Sequence, residues 1–272
     1  MRDKSTTEAE INNAWNKVLL ARKITRFRSL DIIKHIFNSF IELHGDRNIG
    51  DDRSIIAGIA MFDQQAVTVI GQQKGNSQKE MEYCQYGMTK PEGYRKALRL
   101  MKQAEKFRRP IICFIDTPGA FPGVSAEKNG QAEAIARNLY EMANITVPIL
   151  SIIIGEGGSG GALALGVANR VIMLENAIYS VVSPEGCASI LYKDSRKAPV
   201  VAGHLHLTAI DLKNYGIIDE IISEEGTESS IFDRIKQSIE GELYRCSQLD
   251  GDELRKERIE RYRNIGSEIV FS

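Results

Sequence analysis

Five glycines fall within seven positions at Gly155-Glu156-Gly157-Gly158-Ser159-Gly160-Gly161, between an apolar run and the start of a helical pattern. Glycine opens backbone conformations closed to other residues and lets a ligand come close to the chain. The first N–H groups of the following helix have no acceptor inside it, and the helix dipole adds partial positive charge there. Such a segment suits an anion or a developing oxyanion. The plainer alternative is a tight strand–helix contact that excludes larger side chains. Against that as the whole explanation stands the roughly 1 kcal/mol that each glycine costs inside a helix. A second loop of similar character, Asp116-Thr117-Pro118-Gly119-Ala120-Phe121-Pro122-Gly123, also closes an apolar run. Taken alone it reads as a proline-constrained turn. Two such loops side by side can surround one oxygen with amides and polarise a carbonyl.

The same glycines admit two other readings. Gly155, Gly157 and Gly160 match G-x-G-x-x-G, and Glu175 stands where a dinucleotide fold places its ribose-binding acid. Against this, the next element reads as another strand and not as a crossover helix. Gly157 to Gly161 also match G-x-S-x-G around Ser159, with Asp194 and then His204 or His206 downstream in hydrolase order. Both histidines lie in GHLHLT, which reads equally as a surface loop. Ala162 and Leu163 follow Gly161 where a phosphate-binding loop needs Lys and Ser or Thr, so ATP hydrolysis by the chain itself is not expected.

Other polar residues carry weaker signals. Lys74, beside Gly75, can face a phosphate or carboxylate, or equally be a solvated loop lysine. Basic residues recur from Arg95 and Lys96 through Arg109 and suggest a solvated or partner-facing helix more than a phosphate-binding site. Cys187 is expected in a loop near the site without acting as a nucleophile, and Cys113 in the core. His35 and His44 are expected on a helix without ligand spacing.

Positioning these loops requires a particular order of elements. Residues 7–23 read as a helix, and a second is expected from Leu30 to Leu43, capped by Ser29 and stopped at Gly45. The period then changes: Ser54–Phe62 and Ala66–Gly71 are β-rich runs that read as a hairpin turning at Asp63-Gln64-Gln65. Pro91 opens a helix bearing Tyr94, Ala97, Leu98, Met101 and Ala104. A strand over Ile111–Ile115 leads into the first loop. A helix near 130–143 follows, with Ala132, Ile135, Ala136, Leu139 and Met142 as its apolar stripe. Ile149–Ile154 is a strand that enters the glycine segment, and a short helix then ends near Ala168. Val171–Leu174 and Ile178–Val182 are consecutive strands, followed by the loop SPEGCAS and a helix. Helices over about 228–245 and 252–263 close the chain. Strands in succession without a crossover helix argue against a simple doubly wound sheet and for an α/β spiral of β-β-α units. The expected division is a helical segment over 1–50, a core over 51–225 and C-terminal helices over 226–272, one domain overall.

The bulk properties set limits on function. The 272 residues suffice for an ample core, and 43% hydrophobic with 26% charged residues is ordinary for a globular protein. With 35 Lys and Arg against 36 Asp and Glu, the net charge is −1, so no global field favours nucleic acid or an anionic membrane. No signal-like or membrane-length apolar stretch is evident, and four scattered cysteines lack any C-x-x-C pair. A cytoplasmic protein without disulfides or a metal site is expected.

The ordered motifs Ile70-Gly-Gln-Gln-Lys-Gly75, Pro91 to Arg99, Phe114 to Val124, Glu133 to Leu139, Ile154 to Leu163, Ser180 to Leu191 and Lys197-Ala-Pro199 closely resemble one family. It is the bacterial-type acetyl-CoA carboxylase carboxyltransferase alpha subunit, within the crotonase (ClpP/crotonase-like) superfamily. The resemblance implies transfer of a carboxyl group from carboxybiotin to acetyl-CoA, giving malonyl-CoA for fatty-acid synthesis. It implies that biotin arrives on a biotin carboxyl carrier protein and that a separate biotin carboxylase uses the ATP. It implies that a carboxyltransferase beta subunit shares the acetyl-CoA and completes the site, in an α2β2 assembly. Carried onto this chain, it implies charge stabilisation by the N–H groups of Gly160 and Gly161. Gly157, Gly158, Gly119, Ala120 and Phe121 then line the biotin or substrate site, with no metal.

Overall fold

The computed structural model describes residues 8–266, and the outermost parts of the expected helical ends, 1–7 and 267–272, lie outside the described residues. α1 (Glu8–Arg22) and α2 (Ser29–Ile36) begin the chain. α2 is shorter than expected, and residues up to Glu42 turn into a strand, β1 (Asn38–Glu42). The reason is a distant partner. β1 pairs with β2 (Ile55–Phe62) where Gly58 has no side chain, and a Cβ there would lie 2.1 Å from the Ile41 carbonyl oxygen. Ser29 is not the cap: Arg28 holds that position, and the Ser29 hydroxyl donates to the Gln72 carbonyl at 2.5 Å. Gly45, with φ +78, belongs to the loop beyond β1, and His44 lies in that loop and not on a helix.

β2 and β3 (Gln65–Gln72) form the expected hairpin, in register from Ile55↔Gln72 to Phe62↔Gln65. From β3 the sheet continues in parallel through β4 (Ile111–Thr117), β5 (Ile149–Gly158), β6 (Arg170–Leu174) and β8 (Glu220–Ile222). Every residue of β4 and β5 is buried, as strands covered on both faces must be. β5 is the pivot. Its first half pairs with β6, and its far end, Glu156 to Gly158, pairs with β7 (Ile178–Ser180). One strand serving two successive neighbours gives the spiral of β-β-α turns its pitch.

Helices α3 (Gln78–Tyr83), α4 (Pro91–Lys106), α5 (Val124–Lys128), α6 (Gln131–Asn144) and α7 (Ser159–Leu163) follow the central strands. Later come α8 (Pro184–Tyr192), α9 (Ala198–His204), α10 (Ala209–Asn214), α11 (Glu228–Cys246) and α12 (Gly251–Asn264). SPEGCAS is therefore mostly helix: Ser183 caps α8 by accepting the Gly186 N–H, and Cys187 is a helical residue. On α6 the buried stripe is Gln131, Ala134, Asn138 and Glu141 with Met142, while Ala132 and Ala136 face outward. The polar residues turn inward because carbonyls there need donors: Gln131 Nε2 reaches the Thr89 and Phe121 oxygens, and Asn138 Nδ2 the Ala164 oxygen.

α1 packs on α9, where Ala14, Val18 and Ala21 join Ile178, Ala202 and Leu207 in a small separate core. α12 is pinned by buried Arg258, whose guanidinium donates to the Met142, Ile145 and Val147 carbonyls and to Asn169 Oδ1. Among the described residues no helix is long and apolar enough to cross a membrane.

Candidate active site

β4 and β5 are parallel neighbours, so the segments that leave their C-terminal ends emerge side by side, with Thr117 opposite Gly157. Gly155, Gly157 and Gly158 lie within β5 and not in a turn. The dinucleotide fingerprint therefore fails at its geometry, since its glycines belong to the strand-to-helix bend. Glu175 is committed elsewhere: it accepts the Glu224 N–H and pairs with Lys17 at 3.5 Å.

Close packing accounts for four of the five glycines. A Cβ would lie 2.4 Å from Asp116 Oδ1 at Gly155, 2.7 Å from Tyr179 Cδ2 at Gly157, 2.2 Å from the Pro118 oxygen at Gly158, and 2.5 Å from the Ala120 nitrogen at Gly161. Only Gly160 has ordinary room, with Ile135 Cγ2 nearest at 3.6 Å. The glycine segment is thus moulded against the first loop.

The donors come from the helix start. Ser159 takes φ +53 and bends the chain from β5 into α7, so the N–H groups of Gly160 and Gly161 stand in the first helical turn. Neither donates to a protein acceptor among the described residues. The Gly161 carbonyl is held from behind by Gln72 Nε2 at 2.9 Å and the Tyr94 hydroxyl at 3.4 Å. Burial raises the Tyr94 phenol well above its ordinary value, so it stays a protonated donor. In the facing loop the Gly119 N–H donates to Thr117 Oγ1 at 3.1 Å, and the Thr117 hydroxyl donates back to the Gly119 carbonyl at 2.8 Å. The Phe121 N–H donates to the Thr89 carbonyl at 3.0 Å. Of Gly119, Ala120 and Phe121, only Ala120 has an amide with no protein acceptor among the described residues, and it is the one that abuts Gly161.

A cavity of about 600 Å³ opens beside this turn, with Ser159, Gly160, Leu163, Tyr179, His206 and Tyr262 in its wall. Its lining is largely apolar, the usual character of a small-molecule site.

Ser159 sits on the wall with His206, yet the hydrolase constellation does not assemble. Asp194 accepts from Arg196 Nε at 2.8 Å, and His206 lies 3.9 Å from Asp211 instead.

Behind the loops lies a set of buried charges that motif reading passed over. Lys74 faces carboxylates: Asp116 Oδ1 at 2.8 Å and Glu156 Oε2 at 2.6 Å. Burial alone would raise the Glu156 carboxyl, but Lys74 and Arg22 together hold it below the usual range. The available signal was an acid at the end of each of two largely apolar strands, which demands a cation nearby. The basic face of α4 is likewise occupied. Lys96 is buried, donating to Asp51 Oδ1 at 2.6 Å and to the Asp52 carbonyl at 2.7 Å, and Arg95 pairs with Asp46 at 2.8 Å. Burial would raise the Asp51 carboxyl, but its bonds to Lys96 and the Gly45 N–H bring it down to about 2.

Comparison with known proteins agrees with this architecture. Residues 2–266 match the family described as acetyl co-enzyme A carboxylase carboxyltransferase-like. The chain is 55% identical over 258 residues to the acetyl-coenzyme A carboxylase carboxyl transferase subunit alpha of Staphylococcus saprophyticus, covering 93% of this chain and 82% of that one. Among solved structures, transcarboxylase 12S with methylmalonyl-coenzyme A bound superposes with a TM-score of 0.69 at 19% identity, over 84% of this chain and 42% of that one. A Pseudomonas malonate decarboxylase hetero-tetramer in complex with malonate gives a TM-score of 0.66 at 16% identity, covering 93% of this chain and 95% of the other. The fold is that of the crotonase-like carboxyltransferases, and the chain belongs to the acetyl-CoA carboxylase carboxyltransferase alpha-subunit family.

Proposed function

We propose that this chain supports carboxyl transfer by presenting the Gly160 and Gly161 amides, with Ala120 beside them, to an oxygen that gains negative charge. The observation that carries this is the open first turn of α7 on the rim of a cavity of about 600 Å³. When bound, carboxybiotin supplies a carboxyl on a ureido nitrogen, and breaking that N–C bond moves electron density onto the ureido oxygen. A largely apolar hollow suits a small bicyclic ring, and Tyr179 and Leu163 form its wall. Fixed amides there act without reorganising, and losing one such donor costs about 3–4 kcal/mol of transition-state stabilisation. Gly158 serves by letting the Pro118 turn come close, Gly157 by leaving room for the Tyr179 ring of the cavity wall, and Gly119 and Phe121 by holding that turn in shape.

Membership in the alpha-subunit family implies a beta subunit. In this reading the beta subunit contributes most of the acyl-CoA site and the pair assembles as α2β2. A biotin carboxyl carrier protein delivers the substrate, a separate biotin carboxylase uses the ATP, and all work in the cytoplasm on acetyl-CoA.

The test is a matched pair of substitutions in the complex with the beta subunit, assayed by malonyl-CoA-dependent carboxyl transfer to a free biotin derivative. Gly160→Ala keeps the N–H in a position with room for a methyl group, and activity is expected to stay within about threefold. Gly160→Pro removes the N–H in a first helical turn, and kcat is expected to fall about 10²–10³-fold, with near-UV circular dichroism of the complex checking that the Ser159 bend at φ +53 survives the proline after it. Equal rates for the two variants would refute the amide reading.

A further inference from the structure

Behind the two loops, six charged side chains from six separate places in the chain meet, and the amide reading gives them no part. They are Arg22 on α1, Arg28 ahead of α2, Lys74 after β3, Asp116 on β4, Glu156 on β5 and Glu185 on α8. Three cations face three carboxylates, so the set is formally neutral. Arg28, Lys74, Asp116 and Glu156 are buried, while Arg22 and Glu185 reach the surface.

The connections are specific. Lys74 Nζ joins Asp116 Oδ1 at 2.8 Å to Glu156 Oε2 at 2.6 Å. Asp116 Oδ1 also accepts the Glu156 N–H at 3.0 Å, and Arg28 Nη1 donates to Asp116 Oδ2 at 3.0 Å. Arg22 Nε donates to Glu156 Oε1 at 2.7 Å, and its Nη1 reaches Glu185 Oε1 at 2.6 Å. The slot for the lysine is cut to size: Gly87 has φ +79, and a Cβ there would lie 2.8 Å from Lys74 Cγ. Asp116 is followed by Thr117, whose hydroxyl shapes the Gly119 turn, and Glu156 by Gly157 and then Gly158, which presses on Pro118.

We propose that Lys74 is a positioning residue for carboxyl transfer, its ammonium setting the separation of the β4 and β5 ends and so the convergence of the Ala120 and Gly160 amides. This rests on the amide reading given above. Without the lysine, Asp116 and Glu156 are two buried like charges with one shared neighbour missing, a strongly unfavourable arrangement. The strand ends part to relieve it, and a misplacement of about 1 Å at a reacting centre can cost about 10²-fold in rate.

The experiment is Lys74→Met in the alpha–beta complex, with the same malonyl-CoA and biotin-derivative assay and a near-UV circular dichroism control. The expected result is a kcat lower by about 10²-fold with KM for malonyl-CoA within about threefold. The residual rate of the variant, relative to wild type, rises as pH is lowered, because burial favours the protonated Glu156 carboxyl once the Lys74 ammonium no longer holds it down, and a proton there relieves the repulsion. Arg28 and Arg22 remain to hold the outer oxygens of the pair, and Glu185 still engages Arg22 away from it. A lysine that merely stabilises the fold would lower the yield of folded protein without that acid recovery. If Lys74→Met does not fold, Glu156→Gln keeps the Lys74–Asp116 pair, and a reduced kcat with no acid recovery is expected. A near-wild-type kcat, or a fall whose ratio to wild type ignores pH, overturns the proposal. A low Gly160→Pro rate beside an unaffected Lys74→Met rate sinks this inference alone. Undiminished Gly160→Pro activity sinks the amide reading and this inference with it.

Discussion

The loop after β4 and the segment after β5 are both rich in glycine, both leave buried parallel strands, and yet they do opposite things with their backbone. In the first, Thr117 and Thr89 occupy the Gly119 and Phe121 amides, so the turn is a rigid wall in which Ala120 alone of the three keeps an amide without a protein acceptor among the described residues. In the second, Gly155, Gly158 and Gly161 are pressed against that wall, and the available donors arise because a helix begins there. Glycine count is therefore a poor guide to where the donors are. Gly155, Gly158 and Gly161 make the approach possible, and the position of the first helical turn makes it useful.

That contrast can be broken in graded steps. The largest effect is expected from Gly158→Val, which places a side chain where a Cβ alone would lie 2.2 Å from the Pro118 oxygen. Backbone cannot yield there as a flexible side chain can, and a loss of about 3 kcal/mol in the unfolding free energy is expected from denaturant titration. A wild-type midpoint would mean the two loops are not in contact. Thr117→Val should cost less, about 1 kcal/mol, since it removes a reciprocal pair of hydrogen bonds but keeps the shape. Its informative readout is kcat, which should drop if the wall must be rigid and stay unchanged if only the α7 turn matters. Ser159→Ala is expected to do least, with carboxyl transfer within about threefold of wild type, because no base is assembled on its hydroxyl. Labelling of Ser159 by a fluorophosphonate, with loss of activity, would reverse that conclusion.

Much of this arrangement was legible in residue order. The hairpin over Ile55 to Gln72 appeared as two β-rich runs split by Asp63-Gln64-Gln65, and the buried strands in their continuous apolar runs. The pairing of two glycine-rich loops at strand ends, and Cys113 in the core, also came from pattern alone. What failed had its cause far away along the chain. Residues Asn38–Glu42 look helical until Gly58 offers them a strand edge, and the α6 stripe is set by carbonyls of Thr89, Phe121 and Ala164 that need polar donors. Lys96 reads as a solvated helix lysine until the loop bearing Asp51 folds over it. Glu156 could be seen in the glycine motif, but its partners Lys74 and Arg22 lie 82 and 134 residues away.

By itself the sequence determined most of the elements and the strand-to-helix bends, because hydrophobic period, glycine and proline act over a few neighbouring residues, and its ordered motifs carried the resemblance to the family. Only the tertiary structure decided which amides keep their hydrogens available and which charges neutralise one another. Those outcomes depend on distances of about 3 Å between segments remote in sequence, where burial strips away water and leaves each polar group dependent on the partner that packing brings to it.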